Sequence, residues 1–226
     1  SLAPHPIHLR DGKKLGDTEI IDTLIKDGLW DAFHGYHMGI TAENVAEKFQ
    51  ITREEQDKFA FNSQEKTLRA QKENRFDDEI VKYKIKSNKS EIDFCKDEHP
   101  REGINLDALS RLKPVFKKDG TVTAGNASGI NDGAAVVTVM KESDAEKKSL
   151  NKLVTIKSWA SCGVDPALMG TGPIPSSKKA LELAGWDIGD VDLFEINEAF
   201  AAQSLAVIKT LSVPEEKVNV NGGAIA

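Results

Sequence analysis

The sequence has 226 residues, 39% of them hydrophobic and 29% charged, with a formal net charge of −6. That is enough chain for one or two domains with real cores, no apolar run approaches the ~18 residues of a membrane span, and the acidic balance disfavours a general nucleic-acid binder. Two cysteines, Cys95 and Cys162, stand far apart without CxxC or metal-ligand spacing, which argues against a disulfide framework and fits a reducing, cytoplasm-like compartment.

Residues 1–17 are polar with Pro and Gly and predict a loop or projecting arm. Ile20, Ile21, Leu24, Ile25, Leu29 and Phe33 have helical spacing, interrupted by Gly28. After the turn around His37, Thr41-Ala42-Glu43-Asn44-Val45-Ala46 starts a short helix. Thr52 with Glu55 forms a capping box that opens a long charged helix to about Asn74. Residues 80–95 alternate as a half-exposed strand with lysines on one face, a solvated or edge-protecting surface rather than a binding site. A helix is predicted near 106–112. Strands are predicted at 121–124 and at the fully apolar 134–140.

A second unit follows 141–150. It predicts a strand at 153–161, a helix at 175–185 with Pro at its start and Gly at its end, a strand at 191–196, a helix at 198–211 and a strand at 218–220. This β-α-β-α-β order implies a layered α/β unit with right-handed crossovers. Asn197, at the last strand-to-helix junction, reads as a helix N-cap. An amide there, beside backbone N–H groups, also suits the holding of a water or a developing oxyanion.

Four turns stand out, three of them rich in small residues and one carrying a lone His. Ala124-Gly125-Asn126-Ala127-Ser128-Gly129-Ile130-Asn131-Asp132-Gly133 lets a ligand approach the backbone, or serves as a tight turn before a buried strand. The others are Tyr36-His37-Met38-Gly39, Met169-Gly170-Thr171-Gly172-Pro173 and Asn219-Val220-Asn221-Gly222-Gly223-Ala224. None is a P-loop or a GxGxxG fingerprint. There is no GxSxG elbow, no HExxH and no paired His/Cys ligand set, and neither cysteine has a visible activator.

Taken together, these strings resemble the thiolase family. The resemblance rests on 37–46, 126–135, Gly170-Thr171-Gly172-Pro173, Asn197-Glu198-Ala199-Phe200 and 218–226, five ordered motifs along the whole chain. The His37-Met38-Gly39 string is similar to the acetoacetyl-CoA branch of that family. The resemblance implies a layered α-β-α-β-α thiolase fold, present in part. Residues 1–118 would form a loop domain whose first part resembles a tetramer-forming arm. Residues 119–148 would close the N-terminal domain and 149–226 would open the C-terminal one.

The chemistry implied is Claisen condensation of two acetyl-CoA molecules to acetoacetyl-CoA, and its reverse, through a cysteine acyl-enzyme. By resemblance Asn197 positions an oxyanion-hole water, and His37 and Ser128 border the pantetheine arm. Phe116, Met169, Ala199 and Phe200 line the acyl tunnel. Arg101 lies towards the nucleotide phosphates, while Ala124, Ala127, Gly129 and Ile130 lie against the pantetheine. Leu29 and Met38 complete the CoA-binding set. No cofactor or metal is implied beyond coenzyme A thioesters as substrates. The partners implied are acetyl-CoA and acetoacetyl-CoA, and a homotetramer (a dimer of dimers) at full length, with no nucleic acid and no membrane, in the cytoplasm.

The first residue is not Met and the last six are small or apolar, so both ends are expected to be cut from something longer. The family's nucleophilic Cys would lie before Ser1, and its Gly-His-Pro motif and second Cys after Ala226. Residues 1–226 alone are therefore expected to be inactive. The alternatives are a non-catalytic CoA-binding or assembly piece and a longer-chain 3-ketoacyl-CoA thiolase.

Overall fold

The computed structural model describes residues 3–7, 12, 15–87 and 90–226. The predicted arm at 1–17 therefore lies partly outside the described residues. Its described part, 3–7, runs beside 21–23, with Ile21 N–H donating to the Pro6 carbonyl and Thr23 Oγ1 to that of Pro4.

Helix α1 (Met38–Lys48) starts where the His37 ring caps it: Nδ1 accepts from the Gly39 N–H at 3.0 Å. Its buried stripe is Gly39, Thr41, Ala42, Glu43, Val45 and Ala46. Helix α2 (Arg53–Lys72) opens on the predicted capping box, Thr52 and Glu55 bonding reciprocally, and closes with Arg69 and Lys72 in its last turn. Its buried face is mostly polar: Gln56, Asp57, Ser63, Gln64 and Thr67 alternate with Ala60 and Ala70. Burial of such groups requires hydrogen-bond partners, and those partners build the site.

Helix α3 (Leu106–Ser110) and helix α4 (Glu142–Lys147) are short. Helix α5 (Pro173–Ala184) begins at prolines and stops at Gly185, whose φ of 68° is the left-handed C-cap that glycine supplies. Helix α6 (Ala201–Leu211) buries every residue from Ala201 to Ile208, and Leu211. Its first two turns are buried on every side, polar Gln203 and Ser204 included, which places the helix at the centre. All three hydrophobic clusters draw on α6: Val207 and Ile208 with Val218, Leu205 and Ala206 with Val45, and Ala201 with Leu109 and Ile225. Phe59 of α2 touches each cluster. No helix among the described residues is long and apolar enough to cross a membrane.

Several predicted elements differ. The spacing at 18–33 yields only a π-helical turn at Leu24–Leu29. The alternating stretch 80–95 is a hairpin, β1 (Tyr83–Ser87) against β2 (Ser90–Phe94). Its lysines face acids across the ladder, with Lys84 paired to Asp93 in register and 3.5 Å from the Glu91 carboxylate, so this face is ion-paired surface. The predicted strands at 121–124, 134–140 and 153–161 join no ladder among the described residues. Val136 and Val137 are 94% and 83% exposed. A strand is defined by its neighbours, and an apolar run without them has neither ladder nor cover. The predicted strands 191–196 and 218–220 reduce to one parallel bridge, Phe194 with Val218.

Candidate active site

Helix α1 and the start of α6 meet over a cavity of about 180 Å³. Thr41, Ala42 and Val45 of α1 form one wall. Met169 and Gly170, from the 3₁₀ turn Pro166–Thr171, and Pro173 of α5 form another. Asn197, Ala199, Phe200 and Gln203 complete it. The lining is mainly apolar with a few polar groups, as is usual of small-molecule pockets. A larger hollow of about 580 Å³, beside Lys72, Phe76 and Cys95, mixes acids and lysines and contains none of the predicted site residues.

A row of rings leads to this cavity. His37 stacks on Phe116 with centroids 4.6 Å apart, and Phe116 meets Phe200 edge-on at 6.2 Å. His37 is presented by a turn that Asp31 holds. The buried Asp31 carboxylate accepts from the His34 N–H at 2.7 Å, and the Asp31 N–H donates to the Tyr36 carbonyl. Burial holds the His37 imidazole below its ordinary range, so the ring is neutral as a cap and stacking surface. Gly39 is required by close approach, because a Cβ there would overlap the Phe116 ring.

The small-residue turn 124–133 is anchored from α1 and α2 by buried polar side chains. The Glu43 carboxylate accepts from the Thr121 and Val122 N–H groups at 2.9 and 2.8 Å. Asn126 Oδ1 accepts from Thr123 N–H at 2.8 Å, and its Nδ2 donates to Asp57 at 3.0 Å. Arg53 holds Asp57 at 2.8 Å and also caps the Leu109 and Leu112 carbonyls at the end of α3. The turn is then zipped to the start of α6. Ala201 N–H donates to the Asn126 carbonyl at 2.9 Å, and Ser128 N–H to that of Ala199 at 3.0 Å, forming the Ala127–Phe200 bridge.

Asn197 is exposed at the cavity wall, but it is not a helix cap. Helix α6 begins four residues later, its N-cap is Phe200, and no side chain caps it. The first amide of α6 is already taken by Asn126. The backbone around Asn197 is held instead by its neighbours in sequence. Asn219 Oδ1 accepts from Ile196 N–H and Asn219 Nδ2 donates to the Ile196 carbonyl, both at 2.8 Å. Glu198, only 1% exposed, accepts from Ser63 Oγ at 2.6 Å, Asn219 Nδ2 at 2.9 Å and Ile225 N–H at 3.2 Å.

Of the predicted site residues, Met169, Asn197, Ala199 and Phe200 line the cavity. His37 and Phe116 join it through the ring row, and Ala127 and Ser128 through the zipped turn. Met38 is the first residue of α1 beside the cap. Gly129 lies against the His99 ring. Leu29, Arg101, Ala124 and Ile130 do not line the cavity; Leu29 sits in the π-helical turn, and the Arg101 N–H bonds Gln64. Gln203 escaped sequence reasoning. It is 5% exposed, lines the cavity, and its Oε1 has no hydrogen-bond partner. Glu198, Asn219 and Ser63 were missed as a group, since the Ser63–Glu198 contact that joins them spans 135 residues of sequence.

The family model described as "Thiolase, N-terminal domain" matches residues 1–143, and that described as "Thiolase, C-terminal domain" matches 150–226. An acetyl-CoA acetyltransferase of Rhizobium meliloti (strain 1021) is 59% identical over 226 residues, covering 100% of this chain and 58% of the relative. The crystal structure of the Bacillus anthracis acetyl-CoA acetyltransferase is similar with a TM-score of 0.92 and 50% identity, over 97% of this chain and 56% of that one. The human mitochondrial 3-ketoacyl-CoA thiolase structure also has a TM-score of 0.92, at 43% identity, over 99% of this chain and 57% of that one. The chain thus spans less than two thirds of the length of these relatives, and the path it takes is that of part of a layered thiolase fold. Both halves match, the fold matches, and the chain belongs to the thiolase family.

Proposed function

We propose that the protein carrying this chain is an acyltransferase that condenses two acetyl-CoA molecules to acetoacetyl-CoA and CoA, and runs the reverse thiolysis. The observation that carries this reading is Asn197, an amide on a fixed backbone at the wall of a mainly apolar cavity lined by Met169 and Phe200. In this chemistry a cysteine thiolate attacks the thioester carbonyl of the first acetyl-CoA, and the bond to the CoA sulfur breaks. A base then removes an α-proton from the second acetyl-CoA. The resulting enolate carbon attacks the acyl-enzyme carbonyl and the cysteine thiolate leaves. Negative charge develops on a thioester oxygen in each half. Asn197 holds the water that donates to the second of these oxygens.

The row His37–Phe116–Phe200 and the small-residue backbone at Ala127 and Ser128 supply a narrow apolar passage for the pantetheine arm. Arg101 serves the anionic end of CoA. Neither Cys95 nor Cys162 lines the cavity, which supports the reading that residues 1–226 alone are inactive. The nucleophile and its activating histidine come from other parts of the protein. The working protein is a cytoplasmic homotetramer, and its reading as an acetyl-CoA enzyme is supported by the names of relatives such as that of Rhizobium meliloti.

A second reading, thiolysis of longer 3-ketoacyl-CoA, is favoured by the likeness to the human mitochondrial 3-ketoacyl-CoA thiolase. The test is thiolysis by the full-length protein, with free CoA and a series of 3-ketoacyl-CoA substrates. Highest kcat/KM for acetoacetyl-CoA supports the first reading. A preference for longer chains moves the assignment to the second. No turnover of any member leaves a CoA-binding or assembly role.

A further inference from the structure

We propose that Glu198 and Asn219, with Ser63, are positioning residues that set Asn197 at the cavity; this rests on the reading of Asn197 given above. Asn197 is the single residue between two that are clamped. On one side Asn219 takes both backbone groups of Ile196. On the other, Glu198 itself is locked by three donors arriving from α2, from Asn219 and from the 219–226 segment.

The clamp is built in detail. Ser63 Oγ donates to Glu198 and accepts from Gly223 N–H at 3.1 Å. Gln64 Nε2 donates to the Ile225 carbonyl at 3.2 Å, so both backbone groups of Ile225 end on buried side chains. A Cβ at Gly223 would run into the Glu198 carboxylate, so the segment can approach only as glycine. Asn219 has a φ of 44°, a left-handed conformation that asparagine tolerates better than most residues. The single parallel bridge Phe194–Val218 ends just before this point. From there side chains perform the pairing that a longer ladder would give.

A clamp of this kind could serve stability alone, with no bearing on chemistry. The two roles separate experimentally. Glu198→Gln keeps shape and volume but replaces one acceptor oxygen by a donor. Its NH₂ can face Ser63, which can accept, and the Ile225 N–H then loses its acceptor. In the full-length enzyme we expect Glu198→Gln to fold and to lower kcat at least about tenfold, with KM for the CoA thioesters nearly unchanged. Glu198→Asp, which restores both oxygens on a shorter arm, should recover part of that loss. The deciding comparison is the double variant. If Glu198 acts through Asn197, adding Glu198→Gln to Asn197→Ala costs little more than Asn197→Ala alone. Independent, multiplying losses in kcat overturn the proposal, as does a Glu198→Gln enzyme with wild-type kcat.

Hydrogen–deuterium exchange of the same variant gives a readout that does not need turnover. Faster exchange across 195–199 with α1 unchanged supports the clamp. Unchanged exchange there overturns it. If the wild-type enzyme lacks thiolase turnover while the exchange result holds, the functional reading has failed and the clamp has not.

Discussion

The side-chain amide of Asn219 spans the backbone of Ile196, accepting from its N–H and donating to its carbonyl, each at 2.8 Å. One side chain thus supplies both hydrogen bonds that a neighbouring strand would have made. Asn219→Ala strips Ile196 of both partners and Glu198 of one. The Ile196 groups are half-buried and the Glu198 carboxylate is buried, and a group left unpaired away from water costs about 1–3 kcal/mol. We expect a loss of at least about 3 kcal/mol in urea unfolding of the whole protein, well above the effect of an ordinary surface change. A loss under about 1 kcal/mol would mean that water replaces the amide at little cost.

Gly39 lies where a side chain would overlap the Phe116 ring. Gly39→Ala must therefore displace the ring that stacks on His37 and meets Phe200. The expected result is weaker binding of CoA thioesters, seen as a raised KM with a smaller change in kcat, together with a lowered Tm. Gly12, in open surroundings with a positive φ, provides the control: its alanine variant should leave KM unchanged.

His37 carries a pH prediction. Burial lowers its pKa in the folded protein. The unfolded chain takes up a proton at the ordinary value of about 6.5, so below that pH the unfolded state binds more protons than the folded one. Stability should fall as pH drops from about 6.5 towards the folded value, and this contribution should vanish at higher pH. His37→Phe removes that slope while lowering stability at pH 7.5, because the Gly39 N–H loses its cap. Urea midpoints at pH 5.5 and 7.5 for both proteins check it. An NMR titration midpoint for His37 at or above 6.5 would contradict it.

Helices α2 and α5 were legible in the sequence because their signals are local. Thr52 and Glu55 are three residues apart and cap α2 as read; Gly185 ends α5 as read. The strands were not legible as ladders. Val136 and Val137 have strand character, but pairing is a property of neighbours distant in sequence, and here they stand exposed. At the site, Met169, Ala199 and Phe200 followed from motif resemblance and do line the cavity. Asn197 lies there too, but its reading as a helix cap failed because α6 starts at Ala201. Glu198, Ser63 and Asn219 escaped because a buried polar face on a charged helix looks like a solvated one. Only the fold brings Ser63 and Glu198, 135 residues apart, into contact.

Met169 is a candidate for the acyl-chain limit, being half-exposed in the wall of the cavity that Asn197 and Phe200 also line. Met169→Ala enlarges the apolar space without touching the amide. We expect kcat/KM for a six-carbon 3-ketoacyl-CoA to rise relative to acetoacetyl-CoA by roughly tenfold, the scale of one or two buried methylene groups. An unchanged ratio would place the limit elsewhere in the protein.

The most direct test of the central claim compares acetoacetyl-CoA thiolysis by the full-length wild-type protein and its Asn197→Ala variant. Loss of one oxyanion-hole donor costs about 100-fold or more in kcat. The expected result is robust cleavage by the wild type, a fall of that size in the variant and a KM within a few-fold. An Asn197→Ala enzyme with wild-type kcat, or a wild-type protein that does not cleave acetoacetyl-CoA, would contradict the assignment.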